Sequence, residues 1–308
     1  MNLEIREMKE YLFDHHVFLR GGIGNQFFQW AYAKKLQSEG LSVKLNTAFL
    51  KTKKRNQASG TLELLNLFSS IDIPVCAWKH LRPLEFVVKR LGKLVGVLED
   101  DHLTDKPRPS RCLHYGHYQM GEVLNTLVLA KAKELIHPNL MQSEIPGNYC
   151  VLHVRAGDYL SNAYNFAHMG LLSIEYQVRA ANLLLDRYPR NDLIIVSDNE
   201  QFSSLVLNAL KTTNRNRVSL LSKVLRRNES QSDAITAMLS AEAISLSNSS
   251  FSAMCALLGK SGEVLYPRPW FISPDLHYIS PVLNHWTALP SDFAGQGWAD
   301  SKHLYAGL

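Results

Sequence analysis

Residues 150–159 read Cys-Val-Leu-His-Val-Arg-Ala-Gly-Asp-Tyr. An apolar run from Tyr149 to Val154 ends there in Arg155, Gly157 and Asp158. Such a run reads as a strand buried on both faces, with the polar cluster where it emerges. A guanidinium is a planar fork that matches phosphate oxygens, so Arg155 is a candidate anion clamp. The plainer reading is a surface ion pair between Arg155 and Asp158. These ten residues leave both open.

Two other segments offer related chemistry. In Ser247-Asn248-Ser249-Ser250-Phe251-Ser252, four of six residues are serine. The segment joins a strand pattern to a helical one. Free N–H groups at a helix start attract phosphate, the hydroxyls add donors, and Phe251 offers a flat face to a base. One serine would suffice as a cap. Near the start, Arg20-Gly21-Gly22-Ile23-Gly24-Asn25-Gln26 also follows a strand and opens a helix. Glycines there allow a tight turn and close approach of a ligand. The amides of Asn25 and Gln26 carry donors and acceptors suited to sugar hydroxyls; alternatively Asn25 only caps the helix.

Several chemistries are excluded. Position 27 is Phe, so the glycine turn is not Gly-x-Gly-x-x-Gly, and the Gly-Lys-Ser at 259–261 marks no P-loop, since Met254 stands where the motif's leading glycine belongs. Gly-x-Ser-x-Gly is absent, which argues against a serine hydrolase. No Asp-x-Asp occurs to hold a nucleotide diphosphate through a divalent metal. Cationic side chains and helix starts are then expected to stabilise the leaving group. His114, His117 and His168 lack ligand spacing and read as polar surface or acceptor-cleft residues. Cysteines at 76, 112, 150 and 255 form no Cys-x-x-Cys. Cys150 and Cys255 lie in apolar segments and read as buried thiols in a reducing compartment.

The elements that position these groups alternate clearly in the second half. Strands are predicted at 151–154, 193–196, 218–221, 243–246 and 264–266, the last stopped by Pro267. Helices are predicted at 173–187, with Ser173 as N-cap, and at 200–210, 232–240 and 250–258, the last stopped by Gly259. This alternation implies a parallel sheet covered by helices. The strand ends carry His153 and Arg155, Ser197 and Asp198, Ser222, and Ser247 and Asn248, all on one rim. Loops are polar in any case, but that does not account for two serine turns beside an arginine turn.

The first half is less regular. Strands are predicted at 17–20, 43–46 and 113–118, helices at 25–36 and 122–136, and a basic loop at 51–56. The polar, Pro- and Gly-containing stretch 138–147 separates the halves, giving domains 1–145 and 146–308. Residues 79–98 carry Leu81, Leu84, Val88, Leu91, Leu94, Val95 and Leu98 near helical spacing, with Lys79, Arg82, Lys89, Arg90 and Lys93 beside them. This is an amphipathic helix packed on a core or one touching an anionic membrane surface.

The 308 residues are 46% hydrophobic and 20% charged, as expected of globular domains with large cores. A net charge of +5 and a pI near 8.9 favour anionic ligands but are too weak to imply nucleic acid. Met1–Asp14 is charged, without an apolar signal core, and nothing approaches the ~18 apolar residues of a membrane span. The expectation is a cytoplasmic protein.

Taken together, the chain resembles glycosyltransferase family 11, the α-1,2-fucosyltransferases. The resemblance rests on Gly21 to Gln29, Gly116-His117-Tyr118-Gln119, His153 to Tyr159, Ser197-Asp198-Asn199, Asp233 with Met238, Ser247 to Ser252, and Tyr266-Pro267. These fall in the family's order and span residues 17–270. The resemblance implies an α/β GT-B fold, two Rossmann-like domains facing across a cleft. It implies GDP-fucose as donor, no metal, and inverting transfer to a galactose-containing glycan, O2 of galactose in an α-1,2 linkage. The acceptor would be an O-antigen or similar surface polysaccharide unit, and a lipid-linked one would suit membrane contact by residues 79–98 on the cytoplasmic face. By analogy Arg155 binds the diphosphate. Ser250, Phe251 and Ser252 hold phosphates and guanosine, Ser197 and Asp198 lie near the nucleoside, and Gly22, Asn25 and Gln26 approach the donor sugar or acceptor hydroxyl. Asp158 and His153 are candidate general bases; the alternative role for Asp158 is to orient Arg155.

One position departs from the family, which usually has Arg-Arg-Gly-Asp where this chain has Arg155-Ala156-Gly157-Asp158. Either position 156 points away from the ligand, or another cation such as Arg20 replaces it, or the donor differs. Two rivals follow: a related transferase using another nucleotide 6-deoxy sugar, and a non-catalytic nucleotide-sugar-binding protein.

Overall fold

The computed structural model describes residues 14–50, 62–77, 90, 98–99, 112–210 and 215–295. The chain divides into two compact units between His137 and Pro138. Residues 138–145 thus belong to the second unit, not to the first as predicted. Their packing explains this. A 3-10 turn at Pro138–Met141 buries Leu140, and the Ser143 hydroxyl lies 2.9 Å from that of Tyr149.

The second unit is a six-stranded sheet in which every recorded pairing is parallel. Its strands are β6 (Tyr149–Val154), β7 (Asp192–Ser197), β8 (Val218–Leu220), β9 (Ala243–Ser245), β10 (Glu263–Arg268) and β11 (Thr287–Pro290). Their order across the sheet is β11-β10-β9-β6-β7-β8. The chain therefore winds outward from β6 in one direction, returns to β9, and winds outward the other way. Every residue of β6 is buried, His153 among apolar neighbours, as a strand covered on both faces requires. One face carries Cys150, Leu152, Val154, Leu193 and Ile195 against a helix at Ile174–Arg187 through Tyr176, Ala180, Ala181 and Leu184. Each such aliphatic side chain contributes about 1.5–3 kcal/mol on burial.

The helices begin where their caps dictate. Ser173 accepts from Tyr176 N, as predicted, and Ser230 with Asp233 forms a capping box for the helix Gln231–Leu239. The last helix of the unit runs Ser250–Leu258 and ends at Gly259. Strand β10 continues through Pro267, where the sequence suggested a stop. Leu265 O accepts from Leu246 N, so alternation turns position 267 toward the same side, beyond the end of β9. The N–H that proline lacks is not needed there.

The first unit has a five-stranded sheet, again with parallel pairings. Its strands are β1 (His15–Phe18), β2 (Val43–Asn46), β3 (Val75–Cys76), β4 (Leu98–Glu99) and β5 (Leu113–His114), in the order β3-β2-β1-β5-β4. Strand β1 starts and ends two residues earlier than predicted. The following helix, Ile23–Ser38, starts at Ile23 and not at Asn25. Gly22 occupies its N-cap without a side chain to serve, and Glu63 supplies the cap by accepting from Ile23 N at 2.9 Å. The predicted strand 113–118 shrinks to β5, because the chain turns away at Gly116 and Tyr118 takes a φ of +54°. The predicted helix 122–136 splits into a 3-10 turn at Gly121–Val123 and a helix at Thr126–Leu135 capped by Asn125.

The basic loop 51–56 lies outside the described residues, as does the segment 79–98 apart from Arg90 and Leu98. Among the described residues no helix is long and apolar enough to cross a membrane.

Candidate functional site

In open parallel sheets ligands bind beyond the carboxyl ends of the strands, where the winding reverses. In the second unit that point lies between β6 and β9. Arg155 follows β6, and the turn Ser247–Ser249 follows β9 and opens the helix Ser250–Leu258. The sequence thus delivers its arginine turn and its serine turn to the two sides of one crevice.

Arg155 is held between two carboxylates. Its Nη2 donates to Asp158 Oδ1 at 2.5 Å, and its Nη1 lies 2.7 Å from Asp198 Oδ2. The side chain is 28% exposed, so the guanidinium reaches the crevice and is not sealed in the interior. A guanidinium has five N–H donors, so capacity remains for phosphate oxygens. The surface ion pair and the anion clamp are therefore compatible readings of the same residue.

Asp198 does more than its predicted place near the nucleoside. Its Oδ1 accepts from Ala156 N at 2.8 Å and Gly157 N at 3.1 Å. It fastens the loop after β6 to the end of β7. Gly157 is needed for this approach, since a Cβ there would stand 2.7 Å from Asp198 Oδ2. Asp158 is exposed and also accepts from Asn165 Nδ2 at 3.2 Å.

His153 is buried, with Nδ1 2.6 Å from Ser247 Oγ and its ring 5.7 Å from that of Phe251. Burial pushes its pKa down to about 4 against the opposing pull of Asp198, so the imidazole is neutral at pH 7. His153 therefore ties β6 to the serine turn. Tyr159 adds a second tie, its hydroxyl donating to Asn248 O at 2.9 Å.

A cavity of about 260 Å³ opens in this crevice, lined by His153, Arg155, Ser197, Asp198, Phe251 and the start of the helix at Gln231. Ser197 bonds locally to Asn199, donating to its carbonyl and accepting from its N–H. Ser250 and Phe251 sit half-buried in the first helical turn. Ser252 does not face the cavity. It is wholly buried and donates to the carbonyls of Ser247 and Ser249, at 3.2 and 3.0 Å, so its predicted phosphate contact is corrected to a helix-start brace.

In the first unit the winding reverses between β1 and β5, and the glycine turn and Gly116–Gln119 meet there. Gly21 has φ +75°, and a Cβ on it would lie 2.2 Å from Asn25 Nδ2, so only glycine fits. Gln29 accepts from Arg20 N at 3.0 Å and donates to Gly116 O at 2.9 Å. Asn25 is no cap; its Oδ1 accepts from Gln119 Nε2 at 2.8 Å. Gln26 is fully buried, donates to Gly21 O and accepts from Glu63 N and Leu64 N. Its predicted sugar contact is therefore corrected to a structural strut. Gly22 remains open, a Cβ there meeting nothing nearer than Glu63 Oε2 at 3.9 Å. The Arg20 guanidinium stacks on Tyr115, 4.3 Å from the ring centroid.

The sequence reading overlooked Glu229, Asn165 and Glu63. Glu63 and Asn165 act through contacts far along the chain or across a turn, and no spacing announced them. The Ser230-x-x-Asp233 capping box was legible and would have fixed the loop that carries Glu229. Among the described residues no group of three or more His, Cys, Asp or Glu could hold a metal ion.

Comparison with known proteins gives a distant set of likenesses. No family model matches the chain. An alpha-1,2-colitosyltransferase of Escherichia coli is 24% identical over 293 residues, covering 88% of this chain and 97% of that protein. The fucosyltransferase NodZ from Bradyrhizobium superposes with a TM-score of 0.48 at 10% identity, over 80% of this chain and 92% of its own. The ADP-heptose LPS heptosyltransferase II of E. coli gives 0.46 at 13% identity, over 92% of each chain.

Proposed function

We propose that the chain is a nucleotide-sugar glycosyltransferase of GT-B type that moves L-fucose from GDP-fucose to a glycan hydroxyl, O2 of a galactose in a surface polysaccharide unit. The observation that carries this reading is Arg155 at the reversal point of a parallel sheet, opposite the N-terminus of the helix Ser250–Leu258. That pairing of a forked cation with the positive end of a helix suits a diphosphate.

The reaction is a single displacement that needs no metal. The acceptor oxygen forms a bond to the anomeric carbon while the bond from that carbon to the diphosphate oxygen breaks. The electron pair leaves with GDP, and the acceptor proton passes to a base. Negative charge grows on the diphosphate, where Arg155 and the helix N–H groups are already aimed.

The base must lie on the face opposite the leaving group. Asp158 touches Arg155, which holds the leaving group, and His153 sits beneath the same crevice. Both are therefore on the departing side. In this reading Asp158 positions Arg155, and His153 positions the serine turn.

A colitosyl donor is the second reading, supported by the E. coli relative. Incubation with fucosyl and colitosyl nucleotides and galactose-terminated glycans, read by mass spectrometry, separates the two. Transfer and GDP release that persist with chelator support the main proposal. Nucleotide binding without transfer to any acceptor would favour a binding protein.

A further inference from the structure

After Arg155 the chain forms two short helices, Gly157–Ser161 and Ala163–His168, that lead from β6 toward β9 and β10. Three contacts fix that path. The Tyr159 hydroxyl donates to Asn248 O, just past β9. Asn248 Nδ2 donates to Met169 O and Gly170 O, at 2.9 and 2.8 Å. Past the end of β10, Ser273 N donates to His168 O at 3.1 Å. The cavity beside Arg155 opens the other way, against Ser197 and Asp198 at the end of β7. A nucleotide sugar with its nucleoside in that cavity and its diphosphate at Arg155 therefore directs its sugar end toward β9 and β10.

An aromatic pair stands on that side. Tyr164 is 61% exposed, and its ring lies on the His168 imidazole, with centroids 4.0 Å apart and planes 19° from parallel. A single exposed aromatic is ordinary. This one is held in place. His168 Nδ1 donates to Tyr164 O at 3.0 Å, Asn162 caps the helix by accepting from Tyr164 N and Asn165 N, and Phe166 roots it in the core. One ring face is covered by His168, and at that exposure the outer face is open.

We propose that the outer face of Tyr164 is the platform on which the galactose of the acceptor stacks. The proposal deepens the proposed function and rests on its acceptor reading. Position separates the acceptor from the transferred sugar. The transferred sugar hangs directly on the diphosphate, so it lies against Arg155. Between Arg155 and Tyr164 stand the Asp158 carboxylate, 2.5 Å from Arg155 Nη2, and the Asn165 amide, 3.2 Å from Asp158 Oδ2. Tyr164 precedes Asn165, so its ring stands beyond both, where the next sugar lies. The chemistry favours galactose. An aromatic face attracts polarised C–H bonds and rewards a flat apolar partner. In galactose the axial O4 leaves H3, H4 and H5 on one face as a continuous apolar patch. In glucose O4 is equatorial, which turns H4 to the opposite face and breaks the patch. The galactose O2 is equatorial at the rim of the ring, so it stays free when the patch is covered.

The test uses the full chain with GDP and methyl β-galactoside, read by saturation-transfer NMR. Saturation should reach H3, H4 and H5 more strongly than H2, and methyl β-glucoside should bind more weakly. Even saturation around the ring, or no binding of the galactoside, would overturn the proposal, and this arm needs no variant. In a transfer assay Tyr164→Ala should raise the acceptor KM about three- to tenfold, the scale of one aromatic stacking contact, and leave the KM for GDP-fucose unchanged. Tyr164→Phe keeps the ring and should restore the acceptor KM. A merely structural role would raise both KM values together and lower the melting temperature. That result, or an unchanged acceptor KM, would overturn the proposal while leaving the transferase intact. A change confined to the donor KM would put the transferred sugar on Tyr164 and overturn it too. The patterned NMR contact without any transfer would support the platform and defeat the transferase.

Discussion

Replacing Arg155 tests the site most directly, because its effects on folding and on rate differ in size. In the free protein the guanidinium bridges Asp158 and Asp198, at 2.5 and 2.7 Å. Arg155→Ala leaves Asp198 bonded to Ala156 N and Gly157 N, so the loop keeps its anchor. Asp158 is 47% exposed on its side chain and rehydrates. Screening limits the lost pair energy to about 1 kcal/mol, or roughly 2–4 °C in melting temperature for a unit of this size. The rate suffers more. Loss of one preorganised donor to a developing anion costs about 2.7–4 kcal/mol, which is about 10²–10³ in turnover. Arg155→Lys keeps the charge but loses the fork, so its rate should fall between the two. The assay is GDP release at saturating donor with a thermal melt alongside. Near-normal turnover in either variant would remove Arg155 from the mechanism, and a melting temperature lowered by more than ten degrees would refute the claim that Asp198 alone secures the loop.

Asp158→Asn should lower turnover about tenfold while keeping the acid limb of the pH–rate profile, where a general base becomes competent as it deprotonates, because a positioning residue alters the clamp and not the proton acceptor; loss of that limb would make Asp158 the base. The His153 pKa is depressed from 6.5 to about 4, so between these values the unfolded chain binds the proton and the folded chain does not. Stability is full above pH 6.5 and falls as pH drops toward 4, by up to about 3 kcal/mol. Urea titrations across that window should show the slope, and His153→Gln should reduce it. Gly21→Ala forces a Cβ to 2.2 Å from Asn25 Nδ2 at φ +75° and should cost about 1–3 kcal/mol. An unchanged melting temperature would contradict that geometry.

The sheet of the second unit was legible because its signals are local. Tyr149 to Val154 is apolar on both faces, Ser173 and Gly259 punctuate their helices, and strand–helix alternation fixes a parallel order. Direction was less legible than type. Gln26 and Ser252 have the right chemistry for a ligand, yet both spend it on backbone groups at the turns they support. Asp198 binds Ala156 N and Gly157 N, 42 and 41 positions away, and spacing carries no record of such contacts. The glycine turn misled at its boundary because the helix cap comes from Glu63, 40 positions away from Ile23.

Ala156 shows why one cation is enough at this loop. Its side chain is fully buried within the cluster that includes Val154 and Tyr159, and its N–H is bound by Asp198. A residue there points into the core and cannot line the crevice beside Arg155. The first of the three explanations for the missing second arginine is therefore the one the geometry supports. The consequence is electrostatic. Arg155, Asp158 and Asp198 together carry one net negative charge, so a diphosphate meets repulsion from the carboxylates as well as the N–H donors of Arg155. Two like charges 4 Å apart repel by about 1 kcal/mol in water and about 4 kcal/mol at an effective dielectric constant of 20. Attraction between net charges thus contributes little to donor affinity at this site. Hydrogen bonds elsewhere in the crevice must then supply the rest.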